Sequence, residues 1–297
     1  MPAPDRPLRL GTRGSPLALV QARMVAEGLR AAHGWDTDAV EIVTIRTSGD
    51  RIQDRALAEV GGKALWTKEL DRALFAGEID FAVHSMKDVE TIRPAEIVIA
   101  AVLPRADVRD RLVGAESLAA IPVGGRLGTS SPRRTAQVLR ARPDLEVVLF
   151  RGNVDTRLAR LAAGAADATL LAAAGLDRVG RGAVGHAVPI EVMLPAPAQG
   201  AVGVETLAGN AATRALLAPL SHGPSAAAVA TERALLAALG GGCSSPVAAL
   251  ARDGLLRAEI LSADGRECVA GEGDDPAALA ADLLSRASPA LRGLFDG

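Results

Sequence analysis

A chain of 297 residues with 49% hydrophobic content is long enough for more than one core, so two or three domains are expected. A formal net charge of −2 argues against nonspecific nucleic-acid binding, and two cysteines are too few for a disulfide framework and lack metal-knuckle spacing. No apolar run reaches membrane-spanning length and MPAPDRPLRLGTRGSP lacks the apolar core of a signal peptide, so a cytoplasmic chain with reduced thiols and no metal is expected.

Residues 7–32, PLRLGTRGSPLALVQARMVAEGLRAA, predict a short strand, a turn at Gly11 to Gly14, and a helix with Ser15 as N-cap and Pro16 at its first position. Leu17, Val20, Met24 and Leu29 supply its apolar stripe. Arg13 then falls in a strand-to-helix loop beside backbone N–H groups that favour anions. A strand at 40–48 and a helix from about Trp66 to Ala76 follow. The next strand, IDFAVH, ends in His84, Ser85, Lys87 and Asp88, where open α/β sheets place their ligands. Asp88 beside Lys87 is either a surface ion pair of little worth or a functional acid; His84 alone reads as structural.

The opening pattern then recurs. GTRGSP (11–16) and GTSSP (128–132) both place Gly-Thr before Ser-Pro at a helix start, and AGEIDFAV (76–83) is echoed by AGAADATL (163–170). Two similar α/β domains are expected. Lysine occurs only at 63, 68 and 87, so nearly all the positive charge is arginine, the side chain suited to two-point recognition of carboxylates. Genomic base composition accounts for most of that bias but not for where the arginines sit. Arg133 and Arg134 lie in the first turn of a helix capped by Ser131, Arg157 lies in the opening turns of the helix after FRGNV, and Arg178 follows the strand ATLLAA (168–173). Cations at helix starts are locally unfavourable by roughly 0.3–1 kcal/mol, so an anionic ligand offsetting the repulsion is expected.

Residues 187–205 read as a strand and crossover with Gln199-Gly200 at a turn, and Pro219, Gly223 and Pro224 mark a boundary. A small α+β domain follows, with strands PVAALAR, LLRAEILS and ECVAGEG, turns at Asp253-Gly254 and Asp264-Gly265, and a last helix at about 276–292. Its first helix stops at LGGGCSSP (239–246), where three glycines present Cys243. Cys243 is either a placed nucleophile or a small filler behind a helix-capping Gly240.

TRGSPLAL, VGGKALWTKEL, AVHSMKDV, GTSSPRR, FRGNVDTRL, AAAGLDR, PAQGAVGVE and GGCSSPV, in this order, resemble the porphobilinogen deaminase (hydroxymethylbilane synthase) family over nearly the whole chain. The resemblance implies two similar periplasmic-binding-protein-like α/β domains around a cleft, residues 1–103 with 199–219 and residues 104–198, plus a small C-terminal α+β domain at 220–297. It implies an enzyme of tetrapyrrole (porphyrin and haem) biosynthesis, a monomer, that joins four porphobilinogen molecules head to tail into hydroxymethylbilane with loss of ammonia. The primer is a covalent dipyrromethane. By matching positions, Cys243 carries it through a thioether, Asp88 is catalytic, and Lys87, Asp88, Thr129, Ser131, Arg133, Arg134 and Gly200 contact it. Arg13, Ser15, Gln21, Lys63, Arg151, Gly152, Asn153, Arg157 and Arg178 bind substrate. Three departures stand out: Glu90 where the family usually has proline, Glu59 where a basic residue is common, and an early C-terminal end. The rival readings are a noncatalytic polycarboxylate-binding protein of periplasmic-binding-protein-like fold, and a transferase forming a transient thioester at Cys243.

Overall fold

The structure, a computed structural model, describes residues 4–47 and 67–295. Among these, one compact unit holds 4–47, 67–106 and 201–227, and a second holds 107–200 and 228–295. Lys63 and Glu59, the glycines at 61 and 62, and Trp66 lie outside the described residues.

The chain opens with β1 (Leu8–Arg13), α1 (Pro16–His33) and β2 (Val40–Ile45). The turn expected at Gly11 is absent, because β1 pairs in parallel with β2 from Leu8 to Arg13. Gly11 serves close packing instead: a Cβ there would run into the Ile79 and Leu70 side chains. Arg13 is consequently the last strand residue. Ser15 caps α1 as expected, its Oγ accepting from Ala18 N at 3.2 Å, with Pro16 at the first position. The buried stripe is Ala18, Ala22, Val25, Ala26 and Leu29, with Leu17, Val20 and Met24 only half-buried. Small side chains let the helix lie close on the sheet, so alanine wins the inner face over leucine and methionine.

After α2 (Lys68–Phe75) come β3 (Phe81–Ser85) and β4 (Ile97–Val102). The second unit begins with β5 (Asp110–Val113), β6 (Arg126–Thr129), α3 (Pro132–Ala141), β7 (Glu146–Leu149) and α4 (Val154–Ala162). It continues with β8 (Ala168–Ala172), α5 (Ala173–Arg178) and β9 (His186–Ala187). The chain then contributes β10 (Val202–Leu207) and α6 (Ala211–Leu217) to the first unit. α7 (Gly223–Ala238) starts at Gly223 with Pro224 in its first turn, where a missing N–H costs nothing, so these residues open a helix rather than break one. β11 (Val247–Arg252), β12 (Leu255–Leu261) and β13 (Cys268–Gly273) form the expected antiparallel meander. The single last helix expected is two, α8 (Pro276–Arg286) and α9 (Pro289–Arg292), because Ser288 caps a new start before Pro289.

The two five-stranded sheets share one plan. The first has the order β2-β1-β3-β10-β4 and the second β7-β6-β8-β5-β9. In each, the first three are parallel and the fourth runs antiparallel to its neighbours. The echo seen in the sequence is in register, with Leu10 opposite Phe81 in one sheet and Leu127 opposite Ala168 in the other. Gly77 (φ 64°) and Gly164 (φ 73°) take the left-handed conformation before each matching strand. Asp80 Oδ2 accepts from Arg9 N at 2.7 Å, and Asp167 Oδ2 accepts from Arg126 N at 2.6 Å. Each half thus pins its first strand to the turn before its third. Separate apolar cores lie on the first sheet, on the second sheet, and between the meander and α8.

Asp80 also accepts from Arg6 Nη1 and Nη2, at 2.8 and 2.6 Å. Burial opposes its charge, but Arg6 and the Arg9 N–H outweigh burial and bring the carboxyl down to about 2. A depressed folded value stabilises the fold fully above the unfolded value near 4, and the gain disappears as pH falls towards 2. Asp80→Asn is therefore expected to melt below the native chain at neutral pH, with the two melting curves converging between about pH 4 and pH 2. Thermal denaturation followed by circular dichroism across that range checks it.

Candidate active site

In the first unit, a cavity opens where β1 and β3 end and α1 begins. Arg13, Ser15, Gln21, His84, Ser85 and Asp88 line it, with Leu17, Ala18 and Val83. The geometry follows from the parallel sheet, whose carboxyl edge gathers the ends of β1 and β3 beside the N-terminal N–H groups of α1. Gln21 is buried and donates through Nε2 to Ser85 Oγ at 2.8 Å. Asp88 is half-buried in a single 3-10 turn, Met86–Asp88. Met86 fixes that turn: its side chain is buried over Gly203 and its N–H donates to Ala201 O at 3.0 Å. Lys87 occupies the same turn, half-buried.

Beneath this turn lies an ionic cluster absent from the sequence reading. Glu205 on β10 is fully buried, 3.2 Å from His84 Nε2 and bonded to Arg93 through both carboxylate oxygens at 2.9 Å. Burial works against its charge, but His84 and Arg93 outweigh burial and bring the carboxyl down to about 2. Arg93 also grips Asp71 with two nitrogens, at 3.0 and 2.5 Å, and Glu90 at 2.8 Å. Glu90 in turn accepts from Thr67 Oγ1 at 2.6 Å. His84 is thus a structural partner of Glu205 as well as part of the cavity wall.

In the second unit, Thr129 ends β6, its Oγ1 accepting from Ser131 N, and Ser131 caps α3. Arg133 and Arg134 lie in the first helical turn and are buried, at 3% and 4% exposure. The anion that offsets them there belongs to the fold: Asp110 Oδ2 and Oδ1 accept from Arg133 and Arg134 at 2.8 and 2.6 Å. For these two arginines, cations at a helix start therefore do not by themselves demand a ligand. Burial resists the charge on Asp110, but the two guanidiniums hold its carboxyl well below the usual carboxylate range. Burial pulls Arg133 down from the ordinary arginine value. Gln137 links Arg133 to Glu259 on β12, at 2.9 and 3.0 Å. The Nε–H groups of Arg133, Arg134 and Arg178 are buried without a hydrogen-bond partner among the described residues.

Arg178 is the last residue of α5 rather than a strand-end residue, because β8 stops at Ala172 and a short helix intervenes. Its Nη2 donates to Gly200 O at 2.7 Å, and burial pulls its pKa down. Gln199 Nε2 donates to Asp110 Oδ1 and Val108 O at 2.8 and 2.7 Å. Ala198 takes a positive φ of 60°, a conformation secured by Glu232 on α7, whose carboxylate accepts from Ala198 N at 2.6 Å and Ala251 N at 2.8 Å. Arg151 is buried just beyond β7, Gly152 O accepts from Arg157 Nε at 2.9 Å, and Asn153 caps α4.

Cys243 is exposed. Gly240 (φ 71°) ends α7 as a capping residue, and the loop closes on itself through Gly242 N to Ser245 Oγ and Ser245 N to Gly242 O, both 3.0 Å. The cap is real and the filler reading fails, since the thiol sits outside the core. Cys268 is half-buried on β13 with its thiol pushed up by burial, the profile of an unreactive residue.

The described residues thus hold a cavity with one carboxylate, a loop presenting one thiol and, at Arg133, Arg134 and Arg178, buried Nε–H groups without a partner. Residues 8–215 match the family model "Porphobilinogen deaminase, dipyromethane cofactor binding domain", and residues 226–287 match "Porphobilinogen deaminase, C-terminal domain". The chain is 60% identical to the porphobilinogen deaminase of Sphingopyxis alaskensis over 98% of both chains. It is 51% identical to that of Paracoccus denitrificans over 99% of this chain and 96% of that one. Solved structures with a similar fold include the BvgS periplasmic VFT2 domain of Bordetella pertussis, at 17% identity, TM-score 0.40, covering 72% of this chain and 86% of that one. YhfZ from Shigella flexneri follows at 17% identity, TM-score 0.38, covering 77% and 88%. The protein is a transferase that uses a dipyrromethane cofactor. It belongs to the porphobilinogen deaminase family, which sets aside the noncatalytic binding protein.

Asp110, Gln137, Glu205 and Glu232 were not singled out in the sequence, and Gln199 was read only as a turn residue. All are buried polar residues, and no local pattern distinguishes them from solvated ones until the fold closes. Asp110→Asn leaves two buried guanidiniums without their counter-ion, and a loss of about 3–5 kcal/mol is expected from breaking such a pair. Urea denaturation of the variant beside the native chain measures it.

Proposed function

We propose that Asp88 is the catalytic acid–base group and Cys243 the anchor of the dipyrromethane primer. The observation that carries this reading is the placement of Asp88 in a cavity wall with Arg13, Ser15 and Gln21, together with an exposed thiol at Cys243. When bound, the primer supplies the nucleophilic α-carbon of a terminal pyrrole. Asp88 faces the pyrrole N–H groups, stabilises the positive charge that builds as ammonia leaves porphobilinogen, and takes up the proton released when the aromatic ring is restored. Thr129, Ser131, Arg133, Arg134, Lys87 and Gly200 hold the primer. The unpaired Nε–H groups of Arg133 and Arg134 are donors of the kind its acetate and propionate groups require. Arg13, Ser15, Gln21, Lys63, Arg151, Gly152, Asn153, Arg157 and Arg178 bind the incoming acidic substrates. Four units are joined into hydroxymethylbilane. We further propose domains at 1–103 with 199–219, at 104–198 and at 220–297, acting as a cytoplasmic monomer without nucleic acid. Among the described residues no helix is long and apolar enough to cross a membrane.

The test is the intact mass of the native chain beside Cys243→Ala, each then exposed briefly to porphobilinogen. The native chain should exceed its sequence mass by two linked pyrroles, resist alkali as a thioether and not a thioester does, and grow in one-pyrrole steps. Cys243→Ala should show none of this. A native chain that takes up no pyrrole even after incubation with hydroxymethylbilane overturns the anchor. Asp88→Asn, loaded by that same incubation, should bind porphobilinogen but lose about 100-fold or more in kcat, the size of a general acid–base contribution. Steady-state kinetics checks it, and normal turnover removes Asp88 from the mechanism.

A further inference from the structure

On both sides of Asp88 the chain comes close to one buried carboxylate. His84, four residues before Asp88, and Arg93, five residues after it, both meet Glu205 Oε2, at 3.2 and 2.9 Å. Between them the backbone is held at Met86 and at Val89, which is buried and donates its N–H to Met86 O. From Val89 onward no regular element supports the chain until β4 begins at Ile97. Glu90 closes that gap: it receives Thr67 Oγ1 at 2.6 Å and Arg93 Nη1 at 2.8 Å. Arg93 carries the tie onward to Asp71 on α2 and to Glu205 on β10.

We infer that Glu90 and Arg93 are positioning residues for Asp88, an ionic brace that fixes the turn bearing the catalytic carboxylate against α2 and β10. The inference rests on the assignment of Asp88 as the catalytic group. The physical argument is one of stiffness. Asp88 sits in a single 3-10 turn, too short to hold its own orientation, and a carboxylate misplaced by about 1 Å can cost on the order of 100-fold in rate. A guanidinium gripping Asp71 and Glu205 with two nitrogens each admits little rotation, so what Glu90 gains from it is direction as well as attraction. Neither Glu90 nor Arg93 lines the cavity, so both act through the backbone.

The experiment compares Glu90→Gln, Asp88→Asn and the native holoenzyme, each with primer loading confirmed by intact mass, at a temperature well below every melting midpoint. Glu90→Gln keeps shape and burial but loses the charge that draws Arg93. Its kcat per loaded molecule is expected to fall by about tenfold with KM within about twofold, because substrate still binds and only the alignment of Asp88 suffers. A variant that melts earlier but keeps native kcat per loaded molecule shows a purely structural ion pair and overturns the inference. So does a loss confined to KM. If Glu90→Gln does not accumulate as folded protein, Arg93→Lys, which keeps the charge but not the two-point grip, is read by the same criteria. Native turnover in Asp88→Asn would instead sink the catalytic assignment itself, so the two failures are told apart in one panel.

Discussion

Buried carboxylates gripped by arginine are the constraint on which the site regions of both units depend. Asp110 and Glu205 are each fully enclosed, and burial works against the charge of each while the groups bonded to it restore that charge. Such pairs are not a source of large net stability, since desolvation consumes most of the attraction. What they supply is direction. With their Nη groups bonded to Asp110, Gln137, Leu194 and Leu170, Arg133 and Arg134 keep only their Nε–H groups without a partner among the described residues. Glu232 plays the neutral-donor version of the same part, holding the Ala198 amide in a backbone conformation that alanine alone resists.

The duplicated plan lets the two units be compared position by position. Gly11-Thr12 corresponds to Gly128-Thr129, and with one residue fewer in the second copy Ser15 corresponds to Ser131, both capping a helix that begins with proline. From there Leu17, Ala18 and Gln21 correspond to Arg133, Arg134 and Gln137. The glutamine is buried in both copies. The first pair is apolar and lines a cavity; the second is cationic and is paired with Asp110. Equivalent positions of one scaffold thus carry a cavity wall in one copy and a buried ion-pair cluster in the other.

Much of this was legible because local chemistry dictates it. Ser15-Pro16 and Ser131-Pro132 announce helix starts, Asp253-Gly254 and Asp264-Gly265 announce the turns of the meander, and the repeated Gly-Thr and Ala-Gly strings announce two equivalent halves. What sequence could not reveal are contacts closed by the fold. Gly11 looks like a turn residue because glycine usually is one, yet the Ile79 side chain occupies the space its Cβ would need. Arg133 and Arg134 look like bare cations until Asp110, more than twenty residues earlier, is brought between them. Glu90 looks like a disruption after Lys87-Asp88-Val89 until Thr67 and Arg93 appear on either side of it.

The two clusters also differ in sign. Around Arg93 the carboxylates of Asp71, Glu90 and Glu205 outnumber the guanidinium, whereas around Asp110 two guanidiniums outnumber the carboxylate. On the role proposed for Asp88, a surplus of negative charge behind it favours the cationic pyrrole formed as ammonia departs. On the primer contacts proposed for Arg133 and Arg134, a surplus of positive charge at the start of α3 suits acetate and propionate groups. Because both clusters are buried, their fields are weakly screened by salt, and each persists at ionic strengths that would erase a surface pair.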